Sequence, residues 1–328
     1  MKAVFLDKEK QTVYSVYSIS QREYLSAKFG VPERVYTAEN LGELTDVEYI
    51  FSTWGMPSLT VEQIAKYLPR LKAVFYAAGS VQAFARPFLE RGVRVFSAWQ
   101  ANAVPVAECA VSEILLSTKG FWYLSGRAKK DYAGAHEDMG KFCGNFGAKV
   151  GILGYGAIAK IVVRELKRHD IDVYVSAPDF TEADEKATGA VKSDMNYIFE
   201  NCCVISNHIA DNDRTKGIIN AELIAKLKPY TTFINTARGA QVDETALIAK
   251  LKSDPSVTAL LDVTYPEPPE KDSELYSLQN CILTPHVAGS SGQEVHRMAQ
   301  YMIEEAERLL SGKELRYEVV AKMLDRMA

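Results

Sequence analysis

Three segments of this chain each end an apolar run at a side chain suited to acid–base or anion chemistry. Ile234-Asn235-Thr236-Ala237-Arg238-Gly239 delivers a guanidinium, and Leu261-Asp262-Val263-Thr264-Tyr265-Pro266-Glu267-Pro268 delivers two carboxylates. Leu283-Thr284-Pro285-His286-Val287-Ala288-Gly289 delivers an imidazole. An imidazole titrates near neutrality and can take up or return a proton. A carboxylate beside it orients the ring and favours its protonated form. A planar guanidinium matches a carboxylate with two parallel hydrogen bonds. Singly, each residue has a plain reading as a surface charge, a turn cap or a structural histidine. Three of them at the ends of apolar runs make a combined catalytic group the better reading.

A fourth segment points to a nucleotide. Gly154-Tyr155-Gly156-Ala157-Ile158-Ala159 follows the apolar run Lys149–Leu153 and opens the helical run Ile158–Arg168, giving G-x-G-x-x-A. In that context the first glycine allows the tight turn and the second lets a pyrophosphate approach the backbone. The small third residue lets helix and strand pack closely, and the helix N-terminus faces the phosphates. An acid that accepts from the adenosine ribose is expected at the end of the next strand. Val173-Tyr174-Val175-Ser176 ends instead in Ala177-Pro178. Asp179 lies two residues on, and no Arg or Lys occurs from Ser176 to Glu185.

The elements that must position these residues alternate. Lys2–Leu6, Tyr49–Thr53, Ala73–Ala77 and Arg94–Ser97 are expected strands; Ser20–Phe29, Val61–Leu68 and Ala83–Arg91 have helical spacing. A long apolar helix is expected over Val106–Leu124, with Pro105 at its first turn, then a polar, Gly-rich stretch, Ser125–Gly147. A second series follows, with strands at Lys149–Leu153, Asp172–Ser176, Cys203–Asn207, Thr231–Asn235, Thr258–Asp262 and Cys281–Thr284, and a closing helix near Gly292–Leu310. Continuous apolar runs suit parallel strands buried on both faces, and the βα succession predicts α/β architecture. We expect two domains: residues 102–287, and residues 1–101 with 288–328.

Composition narrows the function classes. The 328 residues are 47% hydrophobic and 24% charged, with a formal net charge of −4, which argues against a disordered chain and against a nucleic-acid partner. No run approaches the length of a membrane span, and the first residues read as a buried strand rather than a signal peptide. Cys109, Cys143, Cys202, Cys203 and Cys281 show no CxxC spacing. They read as reduced core thiols of a cytoplasmic protein, with no metal site.

These motifs resemble the D-isomer-specific 2-hydroxyacid dehydrogenase family over most of the chain, most specifically from Val150 to Gly289. Val204-Ile205-Ser206-Asn207-His208, Thr215-Lys216-Gly217-Ile218-Ile219 and Asn102-Ala103-Val104-Pro105-Val106-Ala107-Glu108 add to the match. The resemblance implies a Rossmann-type cofactor domain inserted into a discontinuous flavodoxin-like substrate domain. It implies reversible hydride transfer between NAD, with NADP not excluded, and a small 2-oxo or 2-hydroxy acid of D configuration, in a homodimer paired through Val106–Leu124. His286 would be the acid–base group, Glu267 its partner, and Arg238 the clamp on the substrate carboxylate. Ala78, Gly79 and Ser80 would help hold the substrate. Gly154, Tyr155, Gly156, Ala157, Ile158, Ala177, His208, Ala210, Thr215, Thr236, Ala237, Asp262 and Gly289 would line the cofactor, together with Arg238 and His286, and Asp262 would hold the carboxamide. Ala177 in place of the ribose acid predicts weak discrimination between NAD and NADP, leaning to NAD. Ala210 stands where the family usually has Pro. Two alternatives are a nucleotide-sensing, corepressor-like protein and a formate dehydrogenase-type enzyme; the latter would carry Gln at the position of Glu267.

Overall fold

The computed structural model describes residues 2–325. The strands run in chain order as β1 (Ala3–Leu6), β2 (Val35–Tyr36), β3 (Tyr49–Ser52), β4 (Ala73–Tyr76), β5 (Arg94–Ser97), β6 (Ala148–Leu153), β7 (Ile171–Ser176), β8 (Val191–Lys192), β9 (Val204–Asn207), β10 (Thr232–Asn235), β11 (Thr258–Leu261), β12 (Cys281–Leu283) and β13 (Glu318–Val319). The chain divides into two compact units. One holds the residues up to Asn102 with those from Ser290 onward; the other is Ala103–Gly289.

In the first unit the strand order is β13-β5-β4-β3-β1-β2. Without β13 this is the flavodoxin-like 2-1-3-4-5 order. Register aligns Phe5, Phe51, Phe75 and Phe96 across β1, β3, β4 and β5. The Phe51–Phe75 and Phe75–Phe96 rings stack, with centroids 5.1 Å apart in both pairs. The amphipathic Val295–Leu310 helix buries Met298, Ala299, Met302 and Ile303 in the same cluster. The sheet departs from the all-parallel expectation in one place: β13 joins the edge of β5 antiparallel. Arg94 fastens it there, donating to both Glu318 oxygens at 2.6 Å.

The second unit holds a parallel seven-stranded sheet, β12-β11-β10-β9-β6-β7-β8. Order reverses between β6 and β9, the switch point at which such sheets bind ligands beyond the strands' carboxyl ends. The register places Leu153, Asn207, Asn235, Leu261 and Leu283 in one row, with Ser176 beside Leu153. The next residue on each strand is therefore Gly154, His208, Thr236, Asp262, Thr284 or Ala177. Residues far apart in sequence leave one sheet edge at the roughly 4.8 Å strand spacing.

The expected helix over Val106–Leu124 is corrected. The helix runs Trp99–Thr118 with Pro105 inside it, not at its first turn. It stops before Gly120, whose φ of +65° is left-handed and whose missing Cβ leaves room for the Phe142 ring. Two short helices follow, Phe121–Ala128 across the expected boundary at Leu124 and Tyr132–Asp138 within the stretch expected to be polar and Gly-rich. Asp131 caps the second by accepting from Gly134 N at 2.9 Å.

Candidate active site

Catalytic candidates of the second unit gather on the loops after β10, β11 and β12. His286 Nδ1 and Glu267 Oε1 are 2.7 Å apart, both side chains about half exposed. His286 has a φ of +55°, a conformation uncommon outside glycine. Asp262 explains how the loop is held there. Its Oδ1 accepts from Thr284 Oγ1 at 2.6 Å and from Val287 N at 2.7 Å, and its Oδ2 accepts from Ala288 N at 3.0 Å. The backbone agrees: His286 N donates to Asp262 O at 3.1 Å. Asp262 is buried and clamps the loop that presents the imidazole; Oδ2, with one protein donor, keeps capacity for another.

Arg238 is half-buried, and its Nη1 donates to Ala237 O at 2.7 Å. The adjoining Gly239 is required by close approach, because a Cβ there would lie 2.1 Å from the Thr264 carbonyl carbon. That contact sets the arginine loop directly against the loop bearing Glu267.

Sequence reading assigned no role to a buried amide network beneath these loops. Asn207 Nδ2 donates to Asn235 Oδ1 at 3.1 Å and to Gln241 Oε1 at 2.8 Å. Gln241 Nε2 donates to Ile209 O at 2.9 Å, and Asn235 Nδ2 to Arg238 O at 3.1 Å. The network ties the loop after β9 to the loop carrying Arg238. Its only trace in the sequence is an asparagine ending each of two apolar runs.

The cofactor candidates fit a dinucleotide. Gly154 has a φ of +87°, and a Cβ there would lie 2.7 Å from His208 O, whereas one at Gly156 would meet nothing within 4 Å. The tight turn and the open approach are thus both present. Gly156 precedes the Ala157–Leu166 helix with no side-chain cap, leaving first-turn N–H groups free for phosphate. Thr236 Oγ1 and His208 Nδ1 are buried without partners. His208 Nε2 pairs with Ser206 Oγ at 2.9 Å, and burial pushes its pKa down to about 4, so the ring is neutral at physiological pH. Tyr155 is buried edge-on against Phe180, ring centroids 4.6 Å apart. Thr215 Oγ1 donates to Ala210 O at 2.9 Å, closing the loop after His208 on itself.

Just past β7, Ala177 is buried and Asp179 exposed. Two lysines outside Ser176–Glu185 reach this region. Lys160 Nζ lies 5.3 Å from the Tyr155 ring centroid, and Lys192 Nζ donates to Phe180 O at 2.7 Å.

Ala78, Gly79 and Ser80 lie in the first unit, at the carboxyl end of β4. Ser97 Oγ holds the turn, 2.9 Å from Ala78 O and 2.6 Å from Gly79 O. In the same unit Trp99 packs edge-on to Tyr317, while Trp54 is 51% exposed. The cysteine expectation is corrected in part: Cys202 and Cys281 are buried, Cys109 and Cys203 half-buried, and Cys143 is exposed on the loop before β6. Among the described residues no cluster of His, Cys, Asp and Glu is arranged to hold a metal, and no helix is long and apolar enough to cross a membrane.

One half-buried acid that feels the Asp262 charge makes stability depend on pH. Burial, and secondarily the Asp262 charge, push the Glu113 carboxyl up to about 7, and its Oε2 has no partner. The folded state holds this proton more tightly than the unfolded chain does, so its contribution to stability falls as pH rises from the usual carboxylate range through about 7. Glu113→Gln is expected to raise Tm at about pH 8, by an effect on the order of 1–3 kcal/mol, and to be nearly neutral at about pH 4. Thermal unfolding at the two pH values checks this; an equal effect at both would remove the titration from the account.

Residues 119–288 match the profile of the D-isomer specific 2-hydroxyacid dehydrogenase NAD binding domain. The (S)-sulfolactate dehydrogenase of Chromohalobacter salexigens is 30% identical over 67% of this chain and 71% of its own length. The D-3-phosphoglycerate dehydrogenase of Haemophilus influenzae is 32% identical over 72% of this chain, a match spanning 57% of that protein. In fold, the chain is similar to the D-mandelate dehydrogenase of Rhodotorula graminis, with a TM-score of 0.79 at 23% identity over 97% of each chain. By profile and relatives together, the chain belongs to the D-isomer-specific 2-hydroxyacid dehydrogenase family and carries that family's NAD-binding domain.

Proposed function

We propose that His286, Glu267 and Arg238 carry the reaction of this NAD(P)-dependent dehydrogenase: reversible hydride transfer between the cofactor and a small 2-oxo or 2-hydroxy acid of D configuration. The observation that carries the assignment is the 2.7 Å His286–Glu267 pair, presented by the Asp262 clamp on the sheet edge that bears the glycine turn. A nicotinamide cofactor, when bound, would supply or accept the hydride at C2 of the acid. His286 gives a proton to the C2 oxygen during reduction and removes it during oxidation. Glu267 accepts from Nδ1 and so leaves Nε2 to face the substrate. Arg238 pairs with the carboxylate, where its planar fork orients the reacting carbon. We read the first unit, which carries Ala78, Gly79 and Ser80, as the substrate domain, and Ala103–Gly289 as the cofactor domain. Glu267 within hydrogen-bonding distance of His286 weighs against formate dehydrogenase-type chemistry, which requires no proton acceptor.

The test is a panel of 2-oxo acids with NADH and NADPH, followed by loss of reduced-nicotinamide absorbance. Turnover of any member supports the reading; none across the panel counts against it. Ala177 can neither accept from ribose hydroxyls nor repel a 2′-phosphate, and Lys160 and Lys192 offset the acids of the loop. We expect kcat/KM to favour NADH by no more than about tenfold, a difference of roughly 1.4 kcal/mol. A strong preference for NADPH would overturn this.

We also propose a cytoplasmic homodimer that acts without nucleic acid or membrane. Its interface would comprise the Trp99–Thr118 helix and the residues after it to Leu124. Leu116 and Phe121 are exposed there, apolar surface that association would cover. Light scattering at micromolar concentration should give twice the 36.4 kDa chain mass; the monomer mass would refute the dimer.

A further inference from the structure

We propose that Cys143 and Cys203 form a redox modification site, closing a reversible intrachain disulfide when the protein meets a hydroperoxide. The two sulfurs lie 2.6 Å apart across 60 residues of sequence, and packing on both sides holds them together. On one side Phe142, the neighbour of Cys143, is wedged between Tyr123 and Tyr230, at centroid distances of 5.8 and 5.3 Å. Gly144 N donates to Thr118 O at 2.9 Å, fixing the chain just beyond the cysteine. On the other side Cys203 immediately precedes β9, and its N donates to Lys149 O at 2.9 Å. Both backbones are thus anchored to regular structure before any bond forms, which keeps the cost of closing the bridge low.

The environments divide the two roles. Cys143 is exposed and reachable by a small oxidant, while Cys203 is half-buried behind it. A hydrogen bond from Cys203 holds the Cys143 thiol below its ordinary pKa, and the same contact, with burial, raises that of Cys203. Cys143 is therefore the sulfur that ionises and attacks. Burial pushes Cys202 and Cys281 up to about 12, so neither competes although Cys202 is adjacent in sequence.

The chemistry balances in two steps. The Cys143 thiolate attacks the distal peroxide oxygen; the O–O bond breaks, the remaining oxygen leaves as an alcohol or water after taking up a proton, and Cys143 becomes a sulfenic acid. The Cys203 sulfur then attacks that of Cys143; the S–S bond forms, the S–O bond breaks, and the hydroxyl leaves as water with the Cys203 proton. The two thiols lose two electrons in all, and the peroxide gains them. The closed loop contains the glycine-rich turn and the strand-end segment Ala177–Phe180. Oxidation thus restrains the unfolding of the part of the sheet we assign to the cofactor.

The test uses the full chain and hydrogen peroxide. Titration under denaturing conditions should fall from five free thiols to three. Non-reducing peptide mapping should find Cys143 joined to Cys203 within one chain, and dithiothreitol should restore all five. Oxidised protein should melt several degrees above reduced protein, a shift absent in Cys143→Ser. Cys203→Ser should leave a sulfenic acid at Cys143 that dimedone traps. Five thiols after treatment, an interchain link, or Cys143 carried to sulfinic acid while Cys203 stays alkylatable would each overturn the proposal. The wild-type map decides the matter even where a variant does not fold.

Discussion

His286→Asn should lower kcat by roughly 10²- to 10⁴-fold, the usual range for loss of a general acid–base group, while NADH binding survives. Asparagine is the replacement that isolates the chemistry. His286 sits at a φ of +55°, and asparagine enters that region more readily than most residues. The backbone bonds to Asp262 O and the clamp by the Asp262 carboxylate on Val287 and Ala288 do not involve the imidazole. The loop should hold its shape while the proton donor is gone. The measurement pairs steady-state kinetics with direct NADH titration by fluorescence. Turnover near the wild-type rate would remove His286 from the mechanism. Loss of NADH binding as well would mean that the loop had collapsed.

Arg238→Lys should not behave as a conservative change. An ammonium keeps the charge but cannot form two parallel bonds to a carboxylate. One charge-assisted hydrogen bond lost contributes about 1.5–3 kcal/mol, or roughly 10- to 100-fold in kcat/KM. We expect KM for the oxo acid to rise and kcat to fall, because the same fork orients the C2 oxygen beside the carboxylate. Two contacts should keep the surrounding loop in place: the tight approach of Gly239 to Thr264 and the Asn235 bond to Arg238 O. Neither depends on the guanidinium. A change confined to cofactor affinity would show that Arg238 does not meet the substrate carboxylate.

The sequence made the sheet strands around the site legible because each is a continuous apolar run bounded by glycine, proline or polar residues. Such runs, at strand length, suit parallel strands buried on both faces. The two-residue edge strands β2, β8 and β13 were not legible, since a strand that short carries no period. The helix from Trp99 was placed too late because Pro105 is usually read as a start. Local preference allows that reading; the packed environment decided otherwise. The break at Gly120 depends on Phe142, 22 positions away, filling the space of the missing Cβ, and no window of sequence contains that contact.

By itself, the sequence determined which chemical groups are available and at which strand ends they emerge: guanidinium, carboxylate, imidazole and a glycine turn open to phosphate. These are properties of residue type and local pattern, and they suffice to place the chain in its family. Tertiary structure alone decided how the groups are aimed. The register of five neighbouring strands brings Gly154, His208, Thr236, Asp262 and Thr284 to one edge. The role of Asp262 as the clamp of the His286 loop, the amides of Asn207, Asn235 and Gln241 under Arg238, and the lysines beside Tyr155 and Phe180 all follow from that arrangement. So does the meeting of Cys143 with Cys203. Most of these contacts join residues tens of positions apart, brought together because burying the apolar strands in one order sets their polar ends side by side.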